Sequence, residues 1–141
     1  MIRESDAAYM AGLFDGEGSI YYKKLFQKSY KGRKTGHWRW NIRMEISMTD
    51  RSVIEWFGDV LKVGQVKEKK VNNNGIKGVR KRQWRWRCGF RDAYYVCRVM
   101  WPYAHTKLPK IQQVIDHYSK EKIMNNNVVS LEEYRKAMIL E

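Results

Sequence analysis

His37-Trp38-Arg39-Trp40-Asn41-Ile42-Arg43-Met44-Glu45-Ile46-Ser47-Met48 alternates almost without a break. Trp38, Trp40, Ile42, Met44, Ile46 and Met48 fall on one side of an extended chain, and His37, Arg39, Asn41, Arg43, Glu45 and Ser47 on the other. Side chains repeat every second residue in a strand and every 3.6 in a helix, so this segment is a strand with one apolar and one polar face. The pattern recurs in Gln83 to Cys88, where Trp84, Trp86 and Cys88 oppose Gln83, Arg85 and Arg87. Ser19 to Lys28 and Gln65 to Val71 alternate less cleanly, but turn residues follow each: Lys31-Gly32 to Gly36, and Asn72-Asn73-Asn74-Gly75. Two antiparallel hairpins are expected.

Around the hairpins the period changes to 3.6. Ser5 or Asp6 can open a helix running to about Asp15. Thr49 or Asp50 can cap a second, with Val53, Ile54, Phe57 and Leu61 inward and an end before Gly64. Asp92 can cap a third, with Val96, Val99 and Met100 inward and Pro102 as its stop. Pro109 suits a first helical turn, and Ile111, Val114, Ile115 and Tyr118 form the stripe of a fourth. Ser130 and Glu133 form a capping box, which predicts a last helix ending near Leu140. A sheet with one apolar face needs cover, and only these helices can provide it. The expected fold is α+β: helix, hairpin, helix, hairpin, then helices, with an antiparallel β saddle covered on one face. A length of 141 residues, 43% hydrophobic, suits a single domain over 1–141 with a core of its own.

The formal charge is +13, and it is concentrated. Lys and Arg exceed Asp and Glu by eight over residues 21–43 and by ten over 62–91, the two hairpin blocks, while the rest is close to neutral or acidic. A polyanion is the partner this distribution suits. A curved ribbon with Arg, Lys, Asn and Gln at alternate positions has the width and donors for a DNA major groove: Arg for guanine, Asn and Gln for adenine, Lys for phosphate. The candidate contacts are Lys23, Lys28, Arg39, Asn41, Arg43, Lys67, Lys69, Arg82, Gln83, Arg85 and Arg87. An RNA-binding sheet would instead expose aromatics for stacking; here the tryptophans take the apolar parity, while Tyr21, Tyr30 and the unfixed register between the hairpins leave that alternative open. Cys88 and Cys97 are too few for a disulfide framework and lack zinc-site spacing, which fits a reducing compartment. No 18-residue apolar run exists, and the acids of Met1 to Met10 do not suit a secretory or transit peptide. The expectation is a protein that is neither membrane-bound nor secreted, acting in the cytoplasm or in an organelle that encodes it.

Ala8-Tyr9-Met10-Ala11-Gly12-Leu13-Phe14-Asp15-Gly16-Glu17-Gly18-Ser19-Ile20 carries a second signal. Ala8, Gly12 and Gly16 recur every four residues and leave one helix face almost bare, a geometry that permits close helix approach. Asp15 and Glu17 then stand at the C-terminal end, where the macrodipole disfavours negative charge. Something positive should offset them, and a divalent cation is a candidate; a tight glycine turn with solvated acids is the plainer alternative. The histidines, His37, His105 and His117, have no spacing that suggests a metal site.

Met10-Ala11-Gly12-Leu13-Phe14-Asp15-Gly16-Glu17-Gly18 resembles the signature nonapeptide of the LAGLIDADG homing endonucleases. The likeness extends along the chain. In that family the motif helix leads into a hairpin, a helix and a second hairpin; Ile46-Ser47-Met48-Thr49-Asp50 with Val63-Gly64-Gln65-Val66 is similar to its middle segment, and Trp101-Pro102-Tyr103 with Lys107 to its later helix region. With one motif copy, the resemblance implies a homodimer, paired through Ala8, Gly12, Asp15 and Gly16, with both Glu17 side chains together beneath the DNA minor groove. It implies an intron-encoded, metal-dependent endonuclease that makes double-strand breaks with short 3′ overhangs in a long, roughly palindromic duplex. Glu17 and Lys107 would be catalytic, and Glu17 with the Gly16 carbonyl would bind Mg²⁺ or Mn²⁺, with Ca²⁺ as a non-catalytic substitute. Asp15 matches an acid that secures the helix end. Met48 departs from the family, where a polar residue, commonly Gln, organises solvent; Ser47, Asp50, Arg51 and His105 are possible substitutes. The alternative reading is a non-cleaving binder on the same scaffold, an intron RNA maturase or a transcription regulator; a third is a nonspecific cationic adaptor.

Overall fold

The computed structural model describes residues 1–28, 36–70 and 81–123. Helix α1 (Glu4–Glu17) runs without a loop into strand β1 (Gly18–Gln27), which pairs with β2 (His37–Met48). Helix α2 (Arg51–Leu61) leads to β3 (Gln65–Lys69) and β4 (Gln83–Gly89), and α3 (Arg91–Met100) and α4 (Leu108–Ile123) follow. The order β1-β2-β4-β3 sets the two hairpins side by side through β2 and β4, antiparallel throughout. This is the expected α+β arrangement.

Register decides which residues share a face. Met44 stands opposite Ile20 in β1 and Cys88 in β4, and Ile46 stands opposite Trp86, so the apolar parities of separate strands coincide. Onto that side pack Met10, Ala11 and Phe14 of α1, Ile54, Phe57 and Leu61 of α2, Val96, Cys97 and Met100 of α3, and Ile111, Val114 and Ile115 of α4, all buried. Trp86 is wholly buried, yet its indole N–H donates to the Val63 carbonyl at 2.9 Å, so the ring enters the core with its one polar group satisfied.

Three local expectations are corrected. Helix α1 starts at Glu4, with Arg3 as a cap lacking any side-chain bond, and it continues to Glu17 beyond Asp15. Helix α3 is preceded by Phe90, at φ 55°, and not capped by Asp92. The Phe90 N–H still donates to Ile42 O at 3.0 Å, as an extension of the sheet, so the chain must turn within one residue and Asp92 falls inside the first turn. Asp50, by contrast, caps α2, accepting from the Val53 N–H at 3.4 Å. The third correction concerns the buried face of β2. Cover begins at Ile42, whereas Trp38 is 61% and Trp40 36% exposed. On that side Tyr22 stacks on Trp40, ring centroids 4.7 Å apart, and the His117 ring of α4 meets both edge-on. Tyr30, the two hairpin turns and the helix ending near Leu140 lie outside the described residues.

The junction between α1 and β1 is tight. A Cβ added at Gly18 would lie 2.4 Å from the ring of Phe14, which is itself fully buried. Gly18→Ala should therefore destabilise the fold by about 1–3 kcal/mol through overpacking, read as a lower midpoint in urea unfolding. An unchanged midpoint would mean that Phe14 can move aside at no cost.

Candidate nucleic-acid interface and acidic helix end

The face of the sheet away from the helices is built by the second parity of all four strands. Tyr21, Lys23, Arg39, Asn41 and Arg43 stand there in the β1–β2 hairpin, and Gln65, Lys67, Lys69, Gln83, Arg85 and Arg87 in the β3–β4 hairpin. Asn41, Arg43, Gln65, Lys67, Arg85 and Arg87 border a trough of about 500 Å³ between the hairpins. Tyr21 was not singled out from sequence as a contact, although its parity was legible. Its ring has the Lys23 ammonium 5.4 Å and the Arg43 guanidinium 5.2 Å from the centroid, which orders two cations on the surface.

Two sequence candidates lie elsewhere. Lys28 follows the last residue of β1. Arg82 precedes β4 with its Nε 3.2 Å from Glu68, and Glu68 is opposite Trp84, which turns this pair toward the helix side. Alternation fails as a guide at strand ends, where pairing no longer fixes the direction of a side chain.

Glu45 is the one acid among the described strand residues of the open face. Its Oε2 accepts from Arg87 Nη2 at 2.9 Å and Nε at 3.2 Å. Burial pushes its carboxyl up, but the Arg87 hydrogen bond and the charges of Arg87, Arg85 and Lys69 together outweigh that and hold it below its ordinary value of 4.5. The pair is thus fully ionised at neutral pH.

At the end of α1 the two acids have different surroundings. Asp15 accepts from the His105 N–H at 2.8 Å and from the Lys107 N–H at 2.9 Å. Lys107 O in turn accepts from the Ile111 N–H, so Asp15 reaches across from one helix end to the start of α4. The orphan amides there are the positive partner that offsets Asp15's place at the C-terminal end of α1. For this residue the offset expected from a cation comes from backbone. Glu17 is exposed, and no hydrogen bond or ion pair with another described residue engages its carboxylate. Asp15 therefore brings His105 and Lys107 to the same helix end that carries Glu17.

Beside this end runs the bare stripe. Gly12 and Gly16 are exposed, and a Cβ at either would meet nothing within 4 Å, while Ala7, Met10, Ala11 and Phe14 on the other side are buried. Met48 is half-buried opposite Trp84 and packs against the core. Of its proposed substitutes, Asp50 is engaged at α2 by Ser52 and Val53, and Arg51 by Glu55 at 2.7 Å. Ser47 Oγ is buried without a partner among the described residues. His105 is held at the acidic end through its backbone N–H, which donates to Asp15. His117 is a packing residue, bonded to the Tyr22 hydroxyl at 3.3 Å. The cysteines are free and buried, with burial pushing the Cys88 thiol up to about 12, so neither is a nucleophile at neutral pH.

No protein-family model matches this sequence, and no curated protein matches it. Solved structures do. The archaeal intron-encoded homing endonuclease I-Vdi141I, complexed with DNA, superposes with a TM-score of 0.60 at 14% identity over 96% of this chain and 82% of that one. The chain has the LAGLIDADG homing-endonuclease fold. The LAGLIDADG homing endonuclease I-SmaMI, as a meganuclease bound to uncleavable DNA, matches with a TM-score of 0.59 at 17% identity, over 95% of this chain and 43% of that one. I-CvuI with its target and Ca matches with a TM-score of 0.54 at 14% identity, over 97% and 82%. In this LAGLIDADG fold the motif helix is α1 and its last acid is Glu17.

Asp15→Ala removes both bonds to the start of α4. It should cost about 0.5–2 kcal/mol, the range for losing a helix cap, measured by chemical denaturation, with Asp15→Asn losing less because one acceptor oxygen remains. Equal stability of Asp15→Ala and the parent would show that the two amides are satisfied without this residue.

Proposed function

We propose that this chain is a sequence-specific, divalent-metal-dependent DNA endonuclease that works as a homodimer. It cuts both strands of a long, roughly palindromic duplex and leaves short 3′ overhangs. The observation that carries this reading is the state of Glu17: an exposed carboxylate without a partner among the described residues, beside a bare helix face. An acid left unpartnered at a helix C-terminus gains nothing from that position, unlike Asp15, which the amides of His105 and Lys107 offset. The neighbours bound to DNA support the duplex as partner. The match to only 43% of the I-SmaMI chain supports a working unit of two copies of this shorter chain.

The donor set decides whether a metal suits the site. Among the described residues no group of three His, Cys, Asp or Glu side chains could hold an ion within one chain. Two helices paired along Ala8, Gly12 and Gly16 contribute two Glu17 carboxylates and two Gly16 carbonyls, hard oxygen donors of the kind Mg²⁺ takes alongside water and phosphate oxygens. I-CvuI structures obtained with Ca and with Mg support the same class of ion. Bound there, divalent ions would neutralise phosphate charge and lower the pKa of an attacking water.

The remaining work belongs to the chain itself. The open face, with Lys23, Arg39, Asn41, Arg43, Lys67, Lys69, Gln83, Arg85 and Arg87, lies along the major groove, with lysines on phosphates and Arg, Asn and Gln on base edges. Twofold pairing of α1 doubles this face and makes the preferred target symmetric. Asp15 fixes the backbone of His105 and Lys107 at the end of α1; in this reading the Lys107 ammonium neutralises the scissile phosphate and His105 supplies the polar group that Met48 is not.

The decisive experiment offers a randomised duplex library to the purified protein with Mg²⁺ and with EDTA. Sequence-defined ends are expected only with Mg²⁺, and Glu17→Gln should abolish them while still binding the selected duplex. Ends produced equally by Glu17→Gln would remove Glu17 from the chemistry. Gly12→Leu fills the bare face, so it should leave a folded monomer by sedimentation and stop double-strand cleavage; a persistent dimer would exclude α1 as the interface.

A further inference from the structure

A carboxylate on a surface meant for DNA repels phosphate whatever the base sequence, so Glu45 works against duplex binding in general. Its gain must lie in what it does to a neighbour. Glu45 and Arg87 are directly opposite in the β2–β4 ladder. Two of the five N–H bonds of the guanidinium, one on Nε and one on Nη2, are directed at a single oxygen, Oε2. The Glu45 side chain is 19% exposed and that of Arg87 is 37%, so the acid is the sheltered half of the pair and the guanidinium its outward half.

What the pair leaves free has a chemical signature. Among the described residues no other partner takes the two N–H bonds of Nη1 and the second of Nη2, a flat edge of adjacent donors that matches O6 and N7 of guanine. An unanchored arginine on a strand can swing to phosphates on either side; one bonded through Nε and Nη2 holds its plane. Oε1 of Glu45 stays an acceptor that suits an exocyclic amino group and repels phosphate and the O4 of thymine. Burial opposes the charge, but the Arg87 hydrogen bond with the charges of Arg87, Arg85 and Lys69 outweighs it and keeps the carboxylate ionised, so the anchor persists through neutral pH.

We propose that Glu45 is a specificity-determining residue: it holds Arg87 in the orientation that reads a guanine edge in the major groove and withdraws that arginine from phosphate. This rests on the endonuclease reading above and names one element of its target recognition. It also assigns Arg87 to base readout, apart from the cations that serve general affinity.

The test uses the full chain with Ca²⁺ in place of Mg²⁺, a selected duplex, and a scrambled duplex of equal length, with dissociation constants read by fluorescence anisotropy. Glu45→Gln should bind the scrambled duplex more tightly than the parent, and its selected-to-scrambled ratio should fall by at least about tenfold, the scale of one lost bidentate base contact. Single-base variants of the target should show that Glu45→Gln and Arg87→Ala lose preference at the same symmetry-related guanine. An unchanged ratio, or losses at different positions, would overturn the proposal. Should Glu45→Gln fail to fold, Glu45→Asp keeps the charge but draws it back from Arg87. It should lose the same guanine preference without the gain on scrambled DNA, and retention of that preference would overturn the proposal. A parent that prefers no duplex over another would overturn the endonuclease reading itself, which separates the two failures.

Discussion

Helix α1 has full-sized side chains on one face and almost none on the other. Met10 and Phe14 are buried in the core, and Phe14 packs so closely against Gly18 that the helix passes into β1 without a loop. The opposite face, with Gly12 and Gly16, stands in open space. The buried face fixes where the helix ends relative to the sheet; the bare face leaves room for the second helix proposed above. Every functional feature of the chain refers to that end. Glu17 closes the helix, β1 begins at the next residue, and α4 is tied to it through Asp15.

Asp15 and Glu17 show how two acids two residues apart take different parts. Asp15 is neutralised by amides of another helix, and its role is structural. Glu17 has no such partner among the described residues and keeps its charge available. The same division recurs on the sheet. Glu45 is tied to Arg87, while Lys23 and Arg43 are ordered by the ring of Tyr21. Charged groups on the open face are here held by neighbours of modest strength, which limits their freedom without removing them from the surface.

Much of this was legible in the sequence because period-two alternation is local: β2 announces both faces of the sheet from twelve consecutive residues. The stripe of Ala8, Gly12 and Gly16 is equally local. What escaped depends on contacts between distant residues. The link from Asp15 to His105 and Lys107 spans 90 and 92 positions, and nothing in either segment alone marks it. Phe90 precedes α3 with its N–H held by the Ile42 carbonyl, a constraint imposed by another strand. Trp38 and Trp40 have the parity of buried residues but lie toward the end of the hairpin where helix cover is lost, and parity carries no information on how far a covering layer extends. Arg82 likewise has the composition of a DNA contact and the position of a partner for Glu68.

In the function proposed above, two copies of this chain cross their α1 helices and place both Glu17 carboxylates at one metal-binding centre against DNA. The most direct measurement is a crystal structure of the protein with its selected duplex and Ca²⁺. Two chains related by a twofold axis are expected, Gly12 against Gly12, with ions shared between the Glu17 side chains and a backbone phosphate. A single chain on the duplex, or two chains whose Glu17 carboxylates are far apart and reach neither ion nor phosphate, would contradict it.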